Sequence, residues 1–179
     1  MKRYAALLRG VNICGRNRVP MTELKKGVEA LGFTDVRTHL NSGNVVFSGR
    51  EAETAELSGR IGQMMQRRFG LDIPVFVLPQ EELADILRHA PDWWGTEDKE
   101  IYDNLIFILP PAAFADVYRQ IGEPKAGLEK IHNYKTAVFW SFRRKDYQKT
   151  NWWPKTAAAP VGGRLTIRTA NTVRRIAEM

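Results

Sequence analysis

Arginine and asparagine side chains are concentrated in one short segment, Arg9-Gly10-Val11-Asn12-Ile13-Cys14-Gly15-Arg16-Asn17-Arg18. Arginine donates forked hydrogen bonds that match phosphate and carboxylate groups, and asparagine both donates and accepts. The segment follows the apolar run Tyr4–Leu8 and precedes Pro20, so we expect a loop between a strand and a helix. These residue types predict that an anionic ligand binds to this loop.

The elements around the loop follow from hydrophobic periodicity. Tyr4–Leu8 is typical of a buried strand, and the apolar residues between 21 and 31 recur at the spacing of one helical face. Alternating residues from 36 to 47 predict a hairpin, followed by a helix over 57–69 and a strand over 73–78. This order of elements is that of a split βαβ unit.

The same order recurs in the second half of the chain. It predicts a strand over 104–109, a helix over 114–121 and a hairpin over 128–142 that turns at Asn133-Tyr134. A helix within 143–153, a strand over 165–168 and a helix over 171–178 follow. We therefore predict an α+β protein of two ferredoxin-like (βαββαβ) units in tandem, with antiparallel sheets and helices packed on them. The first unit is 1–79, a helical connector is 80–103, and the second unit with the C-terminal helix is 104–179.

Topology predicts which polar segments meet. In such a unit the third strand lies between the first two, so the loop after strand one and the turn between strands two and three share an edge. The N-terminus of the first helix lies there too, and its free N–H groups favour anions. The predicted ligand-binding residues are Arg9, Asn12, Arg16, Asn17, Arg18, Ser42 and Asn44, with Arg168 and Asn171 closing the site. The alternative is that the asparagines only stabilise turns, because asparagine tolerates positive φ and bonds to nearby backbone.

The charge distribution agrees with an anionic ligand. The formal charge is +7, residues 1–22 carry five bases and no acid, and residues 147–179 carry six bases and one acid. If the two ends of the chain meet, they create a focused positive field. The other interpretation is that these cations are only solvated surface groups.

Several classes of protein are excluded by composition. No apolar run approaches the roughly 18 residues of a membrane span, and Tyr4–Leu8 is too short for a signal peptide, so we expect a cytoplasmic protein with no membrane contact. The single cysteine, Cys14, allows no internal disulfide, and the three histidines lack metal-ligand spacing. Gly10 to Gly15 has the spacing of a phosphate-binding loop, but Arg16-Asn17 replaces its lysine and hydroxyl residue. No metal and no cofactor are expected.

Aromatic residues offer a runner-up hypothesis of nucleic-acid binding. Trp140, Trp152 and Trp153, with the C-terminal bases, are candidates for stacking on single-stranded nucleic acid. The strands lack the aromatic pair that RNA-recognition domains of this architecture use. Fold likeness alone does not imply function.

Several short motifs resemble one bacterial family. They are Leu7-Leu8-Arg9-Gly10-Val11-Asn12, Asn17-Arg18, Met21-Thr22-Glu23-Leu24, Leu31-Gly32-Phe33, Val36-Arg37-Thr38 and Ser42-Gly43-Asn44-Val45-Val46-Phe47. With the closing motifs Thr166-Ile167-Arg168 and Asn171-Thr172-Val173, the chain resembles domain-of-unknown-function family 1697. Thr169 and Ala170 depart from the family pattern, and Cys14 stands where glycine is commoner. The resemblance implies duplicated ferredoxin-like halves, and it supplies no activity or catalytic residue.

Three functions stay open on the sequence. The first is a protein that binds a nucleotide or a nucleic-acid phosphate at the basic loop. The second is an enzyme acting on a small phosphorylated or carboxylated metabolite, for which His39 and Cys14 are the only nearby candidates for a base or nucleophile. The third is a protein-interaction module that uses open sheet edges. The sequence assigns no catalytic residue and no oligomeric state.

Overall fold

Two four-stranded antiparallel sheets organise this mixed α+β chain, and each sheet belongs to its own unit. The computed structural model describes residues 1–179, with Met1–Ala84 and Arg175–Met179 in the first unit and Asp85–Arg174 in the second. The elements of the first unit are β1 (Lys2–Leu8), α1 (Met21–Glu29), β2 (Thr34–His39), β3 (Asn44–Gly49), α2 (Thr54–Phe69) and β4 (Val75–Pro79). Its strand order is β2-β3-β1-β4.

The second unit repeats this arrangement. After α3 (Gln80–Arg88) come β5 (Ile101–Ile108), α4 (Phe114–Ile121), β6 (Glu129–Tyr134), β7 (Ala137–Arg143), α5 (Trp152–Ala158), β8 (Leu165–Thr169) and α6 (Ala170–Glu178). Short 3-10 helices at Arg144–Lys149 and Pro160–Arg164 flank α5. The strand order is β6-β7-β5-β8. None of the helices is both long and apolar enough to cross a membrane.

The core of the first unit lies between its sheet and the helices α1 and α2. Tyr4, Ala6 and Leu8 alternate along β1 toward this core, where α1 contributes Leu24 and α2 contributes Ile61. Each of the large side chains among them is fully buried, which contributes roughly 1.5–3 kcal/mol per side chain. The helix α2 ends at Gly70, whose left-handed backbone (φ 67°) closes it.

A buried carboxylate anchors the core of the second unit. Glu129 accepts hydrogen bonds from Trp140 Nε1 at 3.0 Å and from the backbone N–H of Asn151 at 2.6 Å, where α5 begins. Trp152 is fully buried in the same core. The start of α5 is therefore fixed to β6 and β7 by an anion at its N-terminus.

Some element boundaries differ from the sequence prediction. The second hairpin turns at Lys135-Thr136 rather than Asn133-Tyr134, because Lys135 takes positive φ (50°) and Asn133 Nδ2 bonds to the carbonyls of Lys135 and Ala137. The strand predicted to start at 104 begins at Ile101, inside the segment interpreted as a connector. The last residues belong to the first unit, where the Arg3 guanidinium donates to Met179 O at 2.8 Å.

Candidate anion-binding site

The segment between β1 and α1 is a tight hairpin. The N–H of Asn12 donates to Asn17 O at 3.0 Å, and the N–H of Arg16 donates to Ile13 O at 2.8 Å. Cys14 (φ 48°) and Gly15 (φ 74°) occupy the two central turn positions. Two successive positive φ angles are what a two-residue type I′ turn requires. The loop is therefore a defined scaffold with Arg16 and Arg18 on its second arm.

The asparagines of the hairpin bond to backbone within the protein. Asn12 Nδ2 donates to Val19 O at 2.9 Å and to Asn41 O at 2.8 Å, while Asn12 Oδ1 accepts from the N–H of Val19. Asn17 Nδ2 donates to Gly10 O at 2.8 Å. These amides hold the loop, as the alternative interpretation proposed, and Asn12 ties it to the β2–β3 turn.

The β2–β3 turn packs against the base of the hairpin. Leu8 N–H donates to Gly43 O at 2.9 Å, and a Cβ on Gly43 would lie 2.6 Å from Val11 Cγ2. Asn44 is fully buried, and its Nδ2 donates to His39 O and to Ser42 Oγ. The expected proximity of the two polar segments is thus confirmed, whereas their binding of a ligand stays a prediction.

The arginines differ from the asparagines in their surroundings. Arg16 and Arg18 are exposed, and neither side chain makes a hydrogen bond or an ion pair within the protein. Arg9 is partly buried, and its N–H donates to Pro74 O. Beside the hairpin lies a hollow of about 400 Å³ lined by Asn12, Gly15, Arg18, Val19, Pro20 and Asn41. The hollow therefore has an unneutralised guanidinium in its wall.

The first helix begins at this hollow. No side chain caps α1, and the N–H groups of Glu23 and Leu24 both donate to Pro20 O. The preceding N–H groups, of Met21 and Thr22, have no intrahelical acceptor. Glu23 is the first acid of the chain, and hydrogen bonds from Arg68 and then Lys26 lower the pKa of its carboxyl. Its charge is thus already paired with Arg68 and Lys26.

Arg168 and Asn171 lie in the second unit, on β8 and at the start of α6. Arg168 is buried, and its guanidinium donates to Thr166 Oγ1 and Ile167 O, both at 2.9 Å. Burial lowers the pKa of Arg168 to about 10, which leaves it protonated at neutral pH. Asn171 is exposed. Their role in closing the hairpin site stays a prediction.

The candidates for catalysis make no catalytic contact. Cys14 is an exposed free thiol at the hairpin tip, and no hydrogen bond joins it to a base. His39 ends β2 and contributes its backbone carbonyl to Asn44. No group of three or more His, Cys, Asp or Glu side chains converges in a way that would hold a metal ion.

Two features of the second unit escaped the sequence analysis. Asp85 accepts from Lys135 Nζ at 2.6 Å and from Tyr134 OH at 3.1 Å, and the bond to Lys135 chiefly lowers the pKa of Asp85 to about 2. A pocket of about 370 Å³ opens on the sheet beside Trp140 and Trp153. The tryptophans were visible in the sequence, but the pairing of Asp85 with residues 49 and 50 positions away carried no sequence signal.

The fold and the site define a mixed α+β protein with two antiparallel sheets and a basic hairpin. The sequence profile of family DUF1697, described as a protein of unknown function, matches residues 1–139, and the chain belongs to this family. The membership inferred from the sequence motifs is thereby confirmed.

A solved structure supports the same architecture over nearly the whole chain. It is that of a conserved bacterial protein from Streptococcus pneumoniae, with 26% sequence identity and a TM-score of 0.86, covering 99% of this chain and 97% of that one. The search of curated proteins gave no significant match.

Proposed function

We propose that this protein binds an anionic, phosphate-bearing ligand, such as a nucleotide or a nucleic acid, at the basic hairpin of the first unit. The observation that carries this proposal is that Arg16 and Arg18 are exposed without any internal partner, next to the uncapped N-terminus of α1. We also infer that both units are ferredoxin-like, because each has the order βαββαβ with its third strand between the first two.

Electrostatics favours an anion at this position. The hairpin contains no acid, and Arg18 lines a hollow of about 400 Å³ that ends at the α1 N-terminus. Guanidinium groups and helix N-terminal N–H groups both bind phosphate oxygens. The hydrogen bonds of the hairpin fix the backbone that carries Arg16 and Arg18, so binding would order only their side chains.

The test uses tripolyphosphate, which carries the charge but no base. Isothermal titration calorimetry at about 50 mM and 200 mM salt should show binding that weakens as salt rises, because phosphate contacts are screened and release counterions. The double variant Arg16→Ala/Arg18→Ala should bind at least about tenfold more weakly, since charge-assisted hydrogen bonds are each worth about 1.5–3 kcal/mol.

A charge-matched control separates this site from the general field of a basic protein. The variant Arg67→Ala/Lys130→Ala removes two exposed cations outside the hairpin, so the net charge falls equally. It should keep the affinity of the natural protein. Equal loss in both variants, or no loss in the hairpin variant, contradicts the proposal.

Two exposed aliphatic residues favour a second candidate, a protein-interaction role. Ile13 is 56% exposed at the hairpin tip, and Leu40 is 58% exposed in the neighbouring turn. Exposed apolar groups beside cations are typical of a protein-binding surface. Sedimentation equilibrium of the natural protein and of Ile13→Ser/Leu40→Ser tests self-association through this edge. If the natural protein and the variant have the same mass in solution, this edge is not a self-association surface.

A further inference from the structure

One polar side chain interrupts the apolar face of β5. Along this strand Tyr102, Asn104, Ile106 and Ile108 alternate toward the side covered by α5, and Ile106 and Ile108 belong to the core there. Asn104 is only 3% exposed. The strand therefore places a carboxamide at a position where its neighbours along the strand are core residues.

The carboxamide of Asn104 is almost unused by the protein. Its one hydrogen bond is a long one, from Nδ2 to Tyr102 O at 3.4 Å, and its Oδ1 accepts none. The only fully sealed side-chain atom without a partner is Thr136 Oγ1. The free edge of the Asn104 amide therefore reaches solvent through the pocket that it lines. Buried amides are normally paired, so this edge is available to a ligand.

Aromatic rings surround that amide. Asn104 pairs across the sheet with Trp140 on β7 and with Thr169 on β8. Trp140, Trp153 of α5 and Tyr102 all line the pocket of about 370 Å³. The ring centroids of Trp140 and Trp153 are 6.3 Å apart, and Trp153 is 39% exposed. The result is a small aromatic cavity that is open to solvent. Its other polar lining groups, on Thr156, Arg168 and Thr169, already bond within the protein, so the Asn104 amide is the polar group with hydrogen-bonding capacity to spare.

Planar heterocycles satisfy both features of such a cavity. Their faces stack on tryptophan, and their edges carry donor and acceptor atoms that an asparagine amide complements. A purely apolar ring would leave the amide unpaired. A compact anion would gain nothing from the ring faces, which carry partial negative charge.

We propose that the pocket of the second unit, formed by Tyr102, Asn104, Trp140, Trp153, Ala157 and Thr169, binds a nucleobase. The ring stacks on Trp153, the exposed tryptophan of the pocket, and its edge pairs with the Asn104 amide. The base is supplied either as a free nucleoside or as part of a single-stranded oligonucleotide, since both present the same ring. This inference does not depend on anion binding at the hairpin, because it concerns a different unit and requires no phosphate.

The experiment titrates the full chain with adenosine, guanosine, cytidine and uridine by calorimetry. Indole is the control, because it can stack but lacks the adjacent donor and acceptor atoms of a nucleobase edge. Oligo(dA) and oligo(dT) are titrated in a second arm. The variant Ala157→Trp blocks the pocket with a ring, and Ala157 is exposed, so the core is not disturbed. The variant Asn104→Leu removes the amide but keeps a similar side-chain volume. The matched control is Tyr118→Ala, which removes a similarly exposed aromatic side chain (37%) on α4 outside the pocket.

The proposal expects at least one nucleoside to bind, with affinity reduced about tenfold or more in Ala157→Trp and Asn104→Leu and unchanged in Tyr118→Ala. Binding of an oligonucleotide alone, lost in Ala157→Trp, identifies a base within a strand as the ligand. If Asn104→Leu fails to fold, Ala157→Trp decides the outcome. Binding of indole without any nucleoside or oligonucleotide overturns the proposal. So does binding that both pocket variants leave unchanged, or no binding of any probe.

Discussion

The two units share one sheet order but differ at both ends of that sheet. At one end, the connection from the first strand to the first helix spans residues 9–20 in the first unit and only residues 109–113 in the second. The longer connection is the basic hairpin, and the shorter one contains Pro110-Pro111 and no cation. The anion-binding candidate is therefore an addition that only the first unit carries.

At the other end, the two central strands differ at a core-facing position that lines a cavity in each unit. Tyr4 pairs with Phe47 and with Pro79, the last residue of β4, and Asn104 pairs in the same register with Trp140 and with Thr169, the last residue of β8. Tyr4 is 1% exposed and packs its ring into the core at the edge of a cavity, whereas the smaller Asn104 lines an aromatic pocket and packs no ring there.

The cavity at the corresponding end of the first unit has a different character. It measures about 780 Å³ and is lined by Lys2, Arg50, Glu51 and Arg60 among others, so it is polar where the second pocket is aromatic. One sheet framework thus presents different chemistry in the two units, through the side chains at the cavity end and through the loop at the opposite end.

Exchanging the two central-strand residues tests this comparison most severely. Tyr4→Asn removes a buried ring that stacks on Phe47 at 5.7 Å, and it should lower the free energy of unfolding by about 3–5 kcal/mol. The ring introduced by Asn104→Tyr enters an existing pocket, so this variant should change the free energy of unfolding by less than about 1.5 kcal/mol. Urea denaturation followed by circular dichroism measures both. Equal destabilisation by the two exchanges would refute the contrast between a filled and an open position.

The anchoring of α5 by Glu129 gives the next largest expected effect. Glu129→Gln places an amide donor among the N–H donors of Trp140, Asn151 and Trp152, so one or more lose their acceptor. We expect a loss of about 1.5–3 kcal/mol in the free energy of unfolding, measured by urea denaturation. Glu123→Gln, at an exposed position, is the control and should be neutral. A neutral Glu129→Gln would show that packing alone fixes this helix.

Acid should weaken the second unit through Asp85. The pKa of Asp85 is about 2 in the folded protein against an ordinary value of 3.8, so the unfolded chain binds the proton more readily. The stabilisation is complete above pH 3.8 and is lost as the pH falls through 2. Melting temperatures between about pH 5 and pH 2 should fall more steeply for the natural protein than for Asp85→Asn. An identical pH dependence in both proteins would rule out this ion pair as a contributor.

The smallest effect on stability is expected at the hairpin. Arg16→Ala/Arg18→Ala removes two exposed side chains that contact no partner, so the free energy of unfolding should change by less than about 0.5 kcal/mol. Thermal denaturation checks this value. A larger loss would mean that these arginines stabilise the fold. Their exposure would then no longer support ligand binding at the hairpin.

Much of the architecture followed from the sequence because helices and strands impose their own hydrophobic periods. The two antiparallel sheets were predicted, and so was the proximity of the hairpin to Asn41, since the third strand had to lie between the first two. Boundaries were less accurate where polar residues are buried inside a strand. Asp103, for example, is paired with Ser141 in the sheet and does not signal a strand by its residue type.

The sites were harder to predict than the fold because their roles depend on tertiary partners. The sequence could not show that Asn12 and Asn44 use their amides internally while Arg16 and Arg18 have no partner. Nor could it show Asn104 facing aromatic rings, because that requires the register between β5 and its neighbours.

We propose that the two units carry separate sites, one for phosphate and one for a base. The most direct measurement is a calorimetric cross-titration of tripolyphosphate and of the tightest-binding nucleoside into Arg16→Ala/Arg18→Ala and into Ala157→Trp. We expect the first variant to lose only tripolyphosphate binding and the second to lose only nucleoside binding. Loss of both ligands in either variant, or of neither ligand in both, would contradict it.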